Sequence, residues 1–286
     1  MDSQHIAARA RQHTERLRTM EQRAVAQATQ PLATAIADAQ SAALTRWVRE
    51  TVGQRIPDRL AELVDWVRNL LRRAFHGQGV QAQAAAERAA FAAAHNAVQQ
   101  ASQLAATMSG QPTPPITPEP GPDAQAAADT IPTAVEEEHG HALALLTTAA
   151  LTATGLAGLT AVFKRARRAV GRISRAVATA VGSAAAHGAR LVTRALGGGT
   201  RLLWVAEPDA CAACRASAGR HIRPGGMFPG GLSLDPRRTL FPTPIPGPPR
   251  HPHCRCVLIP WSATWPISGT PLPTLLRQQA RTNRRP

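Results

Sequence analysis

All four cysteines of this 286-residue chain fall in two short segments, and that clustering constrains the fold more than any other feature. Cys211 and Cys214 form a Cys-x-x-Cys pair, followed by the run His251-Pro252-His253-Cys254-Arg255-Cys256. Two segments so rich in sulfur and imidazole are expected to meet around something that needs soft ligands. Zinc is the first candidate, because it takes four thiolate or imidazole ligands in a tetrahedron and a Cys-x-x-Cys knuckle presents two thiolates from one turn. The second segment offers more donors than one ion needs. Cys211, Cys214, His251 and Cys254 would make a site of three sulfurs and one imidazole, whereas pairing Cys254 with Cys256 would make an all-thiolate site. Two disulfides or free thiols are the competing readings. A Cys/His nucleophile is a weaker one, since an activated cysteine needs one base and one orienting group rather than four sulfurs.

A chain of this length has room for two domains. Aromatic residues make up only 3% of it, there is no tyrosine, and Lys164 is the single lysine. Alanine is abundant, so helices are expected to pack through small side chains. The net charge of +15 is unevenly spread: residues 1–139 carry net −2 and residues 140–286 net +17. A field of that sign attracts double-stranded DNA without sequence preference, acidic protein surfaces or anionic lipid. Met1-Asp2-Ser3-Gln4-His5 leads straight into a helical pattern without an apolar signal-peptide core, so a cytosolic start is expected. Residues 142–163 are uncharged and precede Lys164-Arg165-Ala166-Arg167-Arg168, which has the length and flank of a spanning helix. Only eight of those residues are Leu, Val or Phe, so a buried small-residue helix is the favoured reading and a membrane is an unfavoured partner.

Along the chain, residues 3–30 read as a helix interrupted at Pro31, and a second runs from Ala33 to Arg55. Leu60, Leu63, Val64, Val67, Leu71, Ala74 and Phe75 then recur at helical spacing after Pro57-Asp58, up to His76-Gly77. An Ala/Gln-rich helix follows over 82–108. Residues 1–110 therefore read as an elongated helical arm. Six prolines between Gln111 and Asp123 exclude helix and mark a Pro-rich linker, continued as an acidic flexible segment through residue 139. Residues 140–199 read as apolar and then basic helices. Arg165, Arg168, Arg172 and Arg175 share one face opposite Val170, Ile173, Val177 and Val181, and no acid lies between Glu138 and Glu207 to pair with them, so they are candidate DNA-binding residues. Residues 200–265 read as a small α+β, zinc-ribbon-like Cys/His module with strands at 200–206, 221–222 and 257–261 and a Gly/Pro-rich loop between residues 224 and 249. Such a module has little core of its own, and a metal would supply the missing stability. Residues 266–286 read as a basic, disordered tail. The fold class is mainly α. No Ser/His/Asp group, carboxylate pair or phosphate-cradling glycine loop stands out, so the chain does not read as an enzyme.

The order Trp204, Asp209-Ala210-Cys211-Ala212-Ala213-Cys214-Arg215, Gly219, variable loop, Pro248-Pro249-Arg250-His251-Pro252-His253-Cys254-Arg255-Cys256 resembles the C-terminal signature of the bacteriophage Mu F-like minor head proteins, a head-morphogenesis family. About 60 residues carry the motif. Members commonly have an Arg-Thr-Glu element in the preceding helix; here Ser174-Arg175-Ala176 lacks the acid. The resemblance implies a structural virion protein inside the head, acting in the host cytoplasm during procapsid assembly. Its implied partners are the portal, capsid or scaffold proteins, and packaged DNA. It also implies that His253, at the variable position of the motif, is not a ligand. The rival function is a membrane-associated protein with residues 142–163 spanning and a cytosolic zinc ribbon.

Overall fold

The computed structural model describes residues 2–51, 57–235, 237 and 241–282. It is mainly helical: α1 (Ser3–Thr51), α2 (Pro57–Phe75), α3 (Gln78–Ser109), α4 (Pro122–Leu145), α5 (Thr148–Thr154), α6 (Leu156–Ala166), α7 (Arg168–Ala195), α8 (Ala212–Ser217) and α9 (Leu272–Thr282). Three strands, β1 (Arg201–Val205), β2 (His221–Ile222) and β3 (Val257–Trp261), form an antiparallel sheet in the order β2-β1-β3. They lie where the alternation and turn signals placed them.

The chain folds as two compact units. One comprises Met1–Arg23, Glu87–Ala127 and Ala178–Pro286, the other Ala24–Ala86 and Ala128–Val177. Helices α1, α3, α4 and α7 contribute residues to both. Each unit thus draws on stretches distant in sequence, and neither corresponds to a single segment marked out by composition.

Helix α1 corrects the expected break at Pro31. Its buried positions step by three and four residues, through Leu17, Glu21, Ala24, Ala28, Leu32, Ile36, Ala39 and Ala43, so one face keeps its register across the proline. Proline removes one backbone donor but fixes φ near the helical value, and the packed stripe on both sides carries the helix through. The continuation expected through Arg55 falls partly on residues 52–55, outside the described residues.

In the unit formed by Ala24–Ala86 and Ala128–Val177, α2 buries Leu63, Val64, Val67, Leu71, Ala74 and Phe75, the amphipathic stripe read from the sequence. Phe75 stacks on His139 with ring centroids 4.8 Å apart. Helix packing is close: a Cβ on Gly79 would lie 2.9 Å from the Pro132 Cα. Residues 122–139, expected to be a flexible acidic continuation of the linker, belong instead to α4. Pro122-Asp123 is a helix start, with proline at the first position and an acid in the first turn.

The uncharged stretch 142–163 is not one helix. It is divided among the end of α4, α5 and α6; Thr147 caps α5 by accepting from the Ala150 N–H, and Gly155, at φ 60°, separates α5 from α6. No helix among the described residues is long and apolar enough to cross a membrane.

The other unit surrounds the sheet. Leu202 and Trp204 point from one face of β1 into a core that includes Val98 and Ala101 of α3, Ala186, Ala189 and Val192 of α7, Phe228, and Cys214, Cys254 and Cys256. Gly188 of α7 lets the helices approach, since a Cβ there would meet the Ala94 carbonyl oxygen at 2.7 Å. The Pro-rich segment is non-helical, as its composition requires, and it is docked: Ile116 packs on this core and Glu119 meets His187 Nε2 at 3.1 Å. Between β2 and β3, Phe228 and Ile245 exchange a pair of backbone hydrogen bonds, and Phe228 meets Trp204 edge to face. Leu272–Thr282, expected to belong to a disordered tail over 266–286, is a helix because Leu272, Leu275, Leu276 and Ala280 form one buried face.

Candidate metal centre

The two cysteine segments converge as their spacing suggested. Cys211 ends the loop after β1 at the N-cap of α8, where its carbonyl accepts the Arg215 N–H, and Cys214 lies one turn on, buried in the core. The second segment makes a tight turn in which the Cys254 N–H donates to the His251 carbonyl at 3.1 Å, and then enters β3.

His251 Nε2 lies 3.3 Å from the Cys211 sulfur and 3.7 Å from that of Cys214, and the Cys214 and Cys254 sulfurs are 3.6 Å apart. The donor atoms of Cys211, Cys214 and His251 lie within 4.8 Å of one another, as do those of Cys214, Cys254 and Cys256. Cys214 is shared by the two triads. None of the four cysteines is in a disulfide.

These separations are those of a metal's ligand shell. Metal–sulfur bonds of about 2.3 Å in a tetrahedron set sulfurs about 3.8 Å apart, and a nitrogen about 2.0 Å from the ion sets sulfur–nitrogen edges of about 3.5 Å. His251 is also oriented as binding needs. Its Nδ1 donates to the Pro252 carbonyl oxygen at 2.8 Å, which turns Nε2 toward the sulfurs. The donors present therefore fit a metal ion.

Proton affinities follow the clustering. Hydrogen bonding from Cys214, aided by His251, holds the Cys211 thiol down at about 4. The bond to Cys211 in turn pushes His251 up to about 9 against the effect of burial. Hydrogen bonds to Cys211, Cys254 and Cys256, together with burial, push Cys214 upward. The cluster thus carries negative charge on some sulfurs even at neutral pH, the state a cation binds.

His253 does not join the donors. At φ 61° it turns outward, and its Nδ1 lies 2.7 Å from Glu21 Oε1 of α1. Arg255 points the same way, with Nε 3.2 Å from Glu21 Oε2 and Nη1 3.6 Å from Glu207 Oε2, while its backbone N–H donates to Glu207 Oε1. Arg18 of α1 completes the lattice by pairing with Glu207 at 3.1 Å and with Asp209. Ligand candidates and charged residues thus alternate: Cys254 and Cys256 face the core, and His253 and Arg255 face α1. Burial pushes the Glu207 carboxyl up. Burial also raises Asp209, but the Arg18 guanidinium outweighs it and holds that carboxyl below its usual range.

Sequence reasoning missed this lattice. Its signal is Glu21, which is 3% exposed in a stripe of apolar positions on α1; a carboxylate there needs a cationic partner. Glu207 and Asp209 are two of only three acids after residue 139.

The four candidate DNA-binding arginines are arranged differently from expectation. Arg165 belongs to α6, and Arg168, Arg172 and Arg175 to α7, with the helix boundary at Arg167 between them. Arg165 Nε pairs with buried Glu138 at 3.0 Å. Arg172 pairs with Glu137 and, at 3.5 Å, with Glu138. The partners are the acids at the end of α4 that had been read as linker. Arg168 and Arg175 are exposed.

No family model matches the chain, and no curated protein or solved structure matches it either.

Proposed function

We propose that this chain is a structural minor head protein of a tailed bacteriophage, acting in procapsid assembly near the portal and remaining inside the head against packaged DNA. The observation that carries the reading is the convergence of Cys211-x-x-Cys214 with the His251-to-Cys256 element on one buried cluster, since those are the residues of the head-morphogenesis resemblance. In this reading the metal is zinc, held by four of Cys211, Cys214, His251, Cys254 and Cys256, and its role is to cross-link two loops rather than to activate water. The lattice of Arg18, Glu21, Glu207, Asp209 and Arg255 supports a structural role, because it fixes the module to α1. Exposed Arg168 and Arg175 supply the non-specific DNA contact.

Mass spectrometry of purified particles, with and without the gene for this chain, tests the proposal. The protein is expected in low copy in filled heads, and its loss is expected to yield few or malformed procapsids that regain normal yield on complementation. Its absence from particles, or normal heads without it, overturns the reading.

A further inference from the structure

A separate cluster of cations gathers around α8, β2 and α9, at residues with no role assigned above. An open pocket of about 460 Å³ is bordered by Arg215 of α8, Arg220 and His221 at the start of β2, and Arg277 and Arg281 of α9. Among the described residues that line it there is no carboxylate. None of the four arginines forms an ion pair among the described residues, unlike Arg18, Arg165, Arg172 and Arg255.

The fold forces these like charges together. Helix α9 buries Leu272, Leu275, Leu276 and Ala280, which directs Arg277 and Arg281, one turn apart, outward along the pocket. Gly219, at φ 69°, admits the helix: a Cβ there would lie 2.0 Å from the Pro273 carbonyl oxygen and 2.9 Å from the Arg277 Cγ. Arg220 and Arg277 each use Nε to donate to a backbone carbonyl one turn earlier, at Ala216 and Pro273, which orients their guanidinium planes. The Arg215 Nε is shielded from solvent and has no hydrogen-bond partner among the described residues. Burial, with Arg201 and Arg277 nearby, pushes His221 down, which favours its neutral form beside the arginines. Guanidinium forks around one cavity, with no acid among the described residues that line it, form an arrangement that recognises oxyanions in bidentate fashion.

We propose that this pocket is a phosphate-binding site, taking either the backbone phosphates of a nucleic acid or a free polyphosphate anion. It does not depend on the virion reading, and its residues are distinct from Arg168 and Arg175.

The experiment uses the full-length protein at low salt. Inorganic pyrophosphate is titrated by calorimetry and a fluorescein-labelled DNA duplex by anisotropy, against wild type, the double variant R277Q/R281Q, the single variant R215Q and the control R223Q/R237Q. The control removes two exposed arginines that do not line the pocket. Wild type is expected to bind at least one probe, R277Q/R281Q to weaken it about tenfold or more, and the control to change it by less than about twofold. Arg277 and Arg281 are exposed, so their loss leaves the fold intact; unchanged circular dichroism verifies this, and R215Q gives an independent reading from α8. Binding of pyrophosphate identifies a free-anion site, and binding of the duplex alone identifies a backbone-phosphate site. If wild type binds neither probe, or if the control loses as much affinity as R277Q/R281Q, the proposal is overturned.

Discussion

Two groups of arginines meet carboxylates in this protein, and their surroundings differ. Beside the Cys/His cluster, Arg255 lies between Glu21 and Glu207, carboxylates only 3% and 6% exposed. At the start of α7, Arg172 is 34% exposed and its nearer partner Glu137 50% exposed, while buried Glu138, 3.5 Å from Arg172, is met more closely by Arg165 at 3.0 Å. The charges and formal geometry are similar, but the solvent is not. A carboxylate already stripped of water depends on its partner, whereas one still hydrated loses little when the partner goes. The loss of Glu21 beside the Cys/His cluster should therefore matter much more than the loss of the Arg172–Glu137 pair.

The sharpest test is Cys214→Ser, because that sulfur belongs to both donor triads. Zinc content measured by elemental analysis is expected to fall from about one ion per chain to near none. Structural zinc contributes on the order of 10 kcal/mol to small domains of this kind, so near-ultraviolet dichroism from buried Trp204 should be lost while most far-ultraviolet helical signal remains. A chelator added to wild type should do the same. Retained zinc in the variant would remove Cys214 from the site.

Next comes Glu21→Ala. Removing one partner of a buried pair is expected to cost about 3–5 kcal/mol in chemical denaturation, and Glu21→Gln less, since one oxygen remains as an acceptor. A loss below about 1 kcal/mol would mean that the carboxylate is hydrated in solution and would dissolve the contrast.

Helix packing should not distinguish the units. Gly79 and Gly188 each face backbone atoms of a neighbouring helix that a Cβ would crowd. Alanine at either is expected to destabilise by about 1–3 kcal/mol through overpacking, offset in part by its better helix propensity. A large effect at one position alone would show that the two units are packed to different tolerances.

The smallest effect is expected for Arg172→Gln, below about 1 kcal/mol and vanishing at high salt, as for exposed pairs generally. A larger, salt-insensitive loss would place Arg172 with Arg255 and end the comparison.

Legibility in the sequence followed the range of the interaction responsible. Strands β1, β2 and β3 and the stripe of α2 were readable because alternation and helical spacing are local signals. The cysteine cluster was readable although its halves are far apart, because cysteine is scarce and its spacing specific. The uninterrupted α1 was not readable: a lone proline is a local breaker, and only the packed stripe on both sides of Pro31 overrules it. Helix α4 was obscured for a similar reason, since Glu137 and Glu138 look like a solvated linker until Arg165 and Arg172 are placed beside them. The α7 arginines read as lacking acidic partners because no acid lies between Glu138 and Glu207, whereas the acids that pair with Arg172 lie at the edge of and just before that window. Five candidate donors were visible, and the resemblance set His253 aside; its contact with Glu21 was not visible, because no local pattern connects the two.

The Glu21 contact has a bearing on how the chain folds as it is made. Glu21 and His253 are 232 residues apart, so at about 5–20 residues per second the ribosome takes about 10–50 s to supply the partner after the carboxylate has emerged. Throughout that interval α1 displays an ionised group in the middle of its apolar stripe, and premature burial of that stripe against the wrong surface is penalised by the charge. A contact of such long range closes late and makes folding slow. The same residue that locks the finished module thus opposes, by its charge, early burial of the first helix's stripe before the Cys/His segment is made.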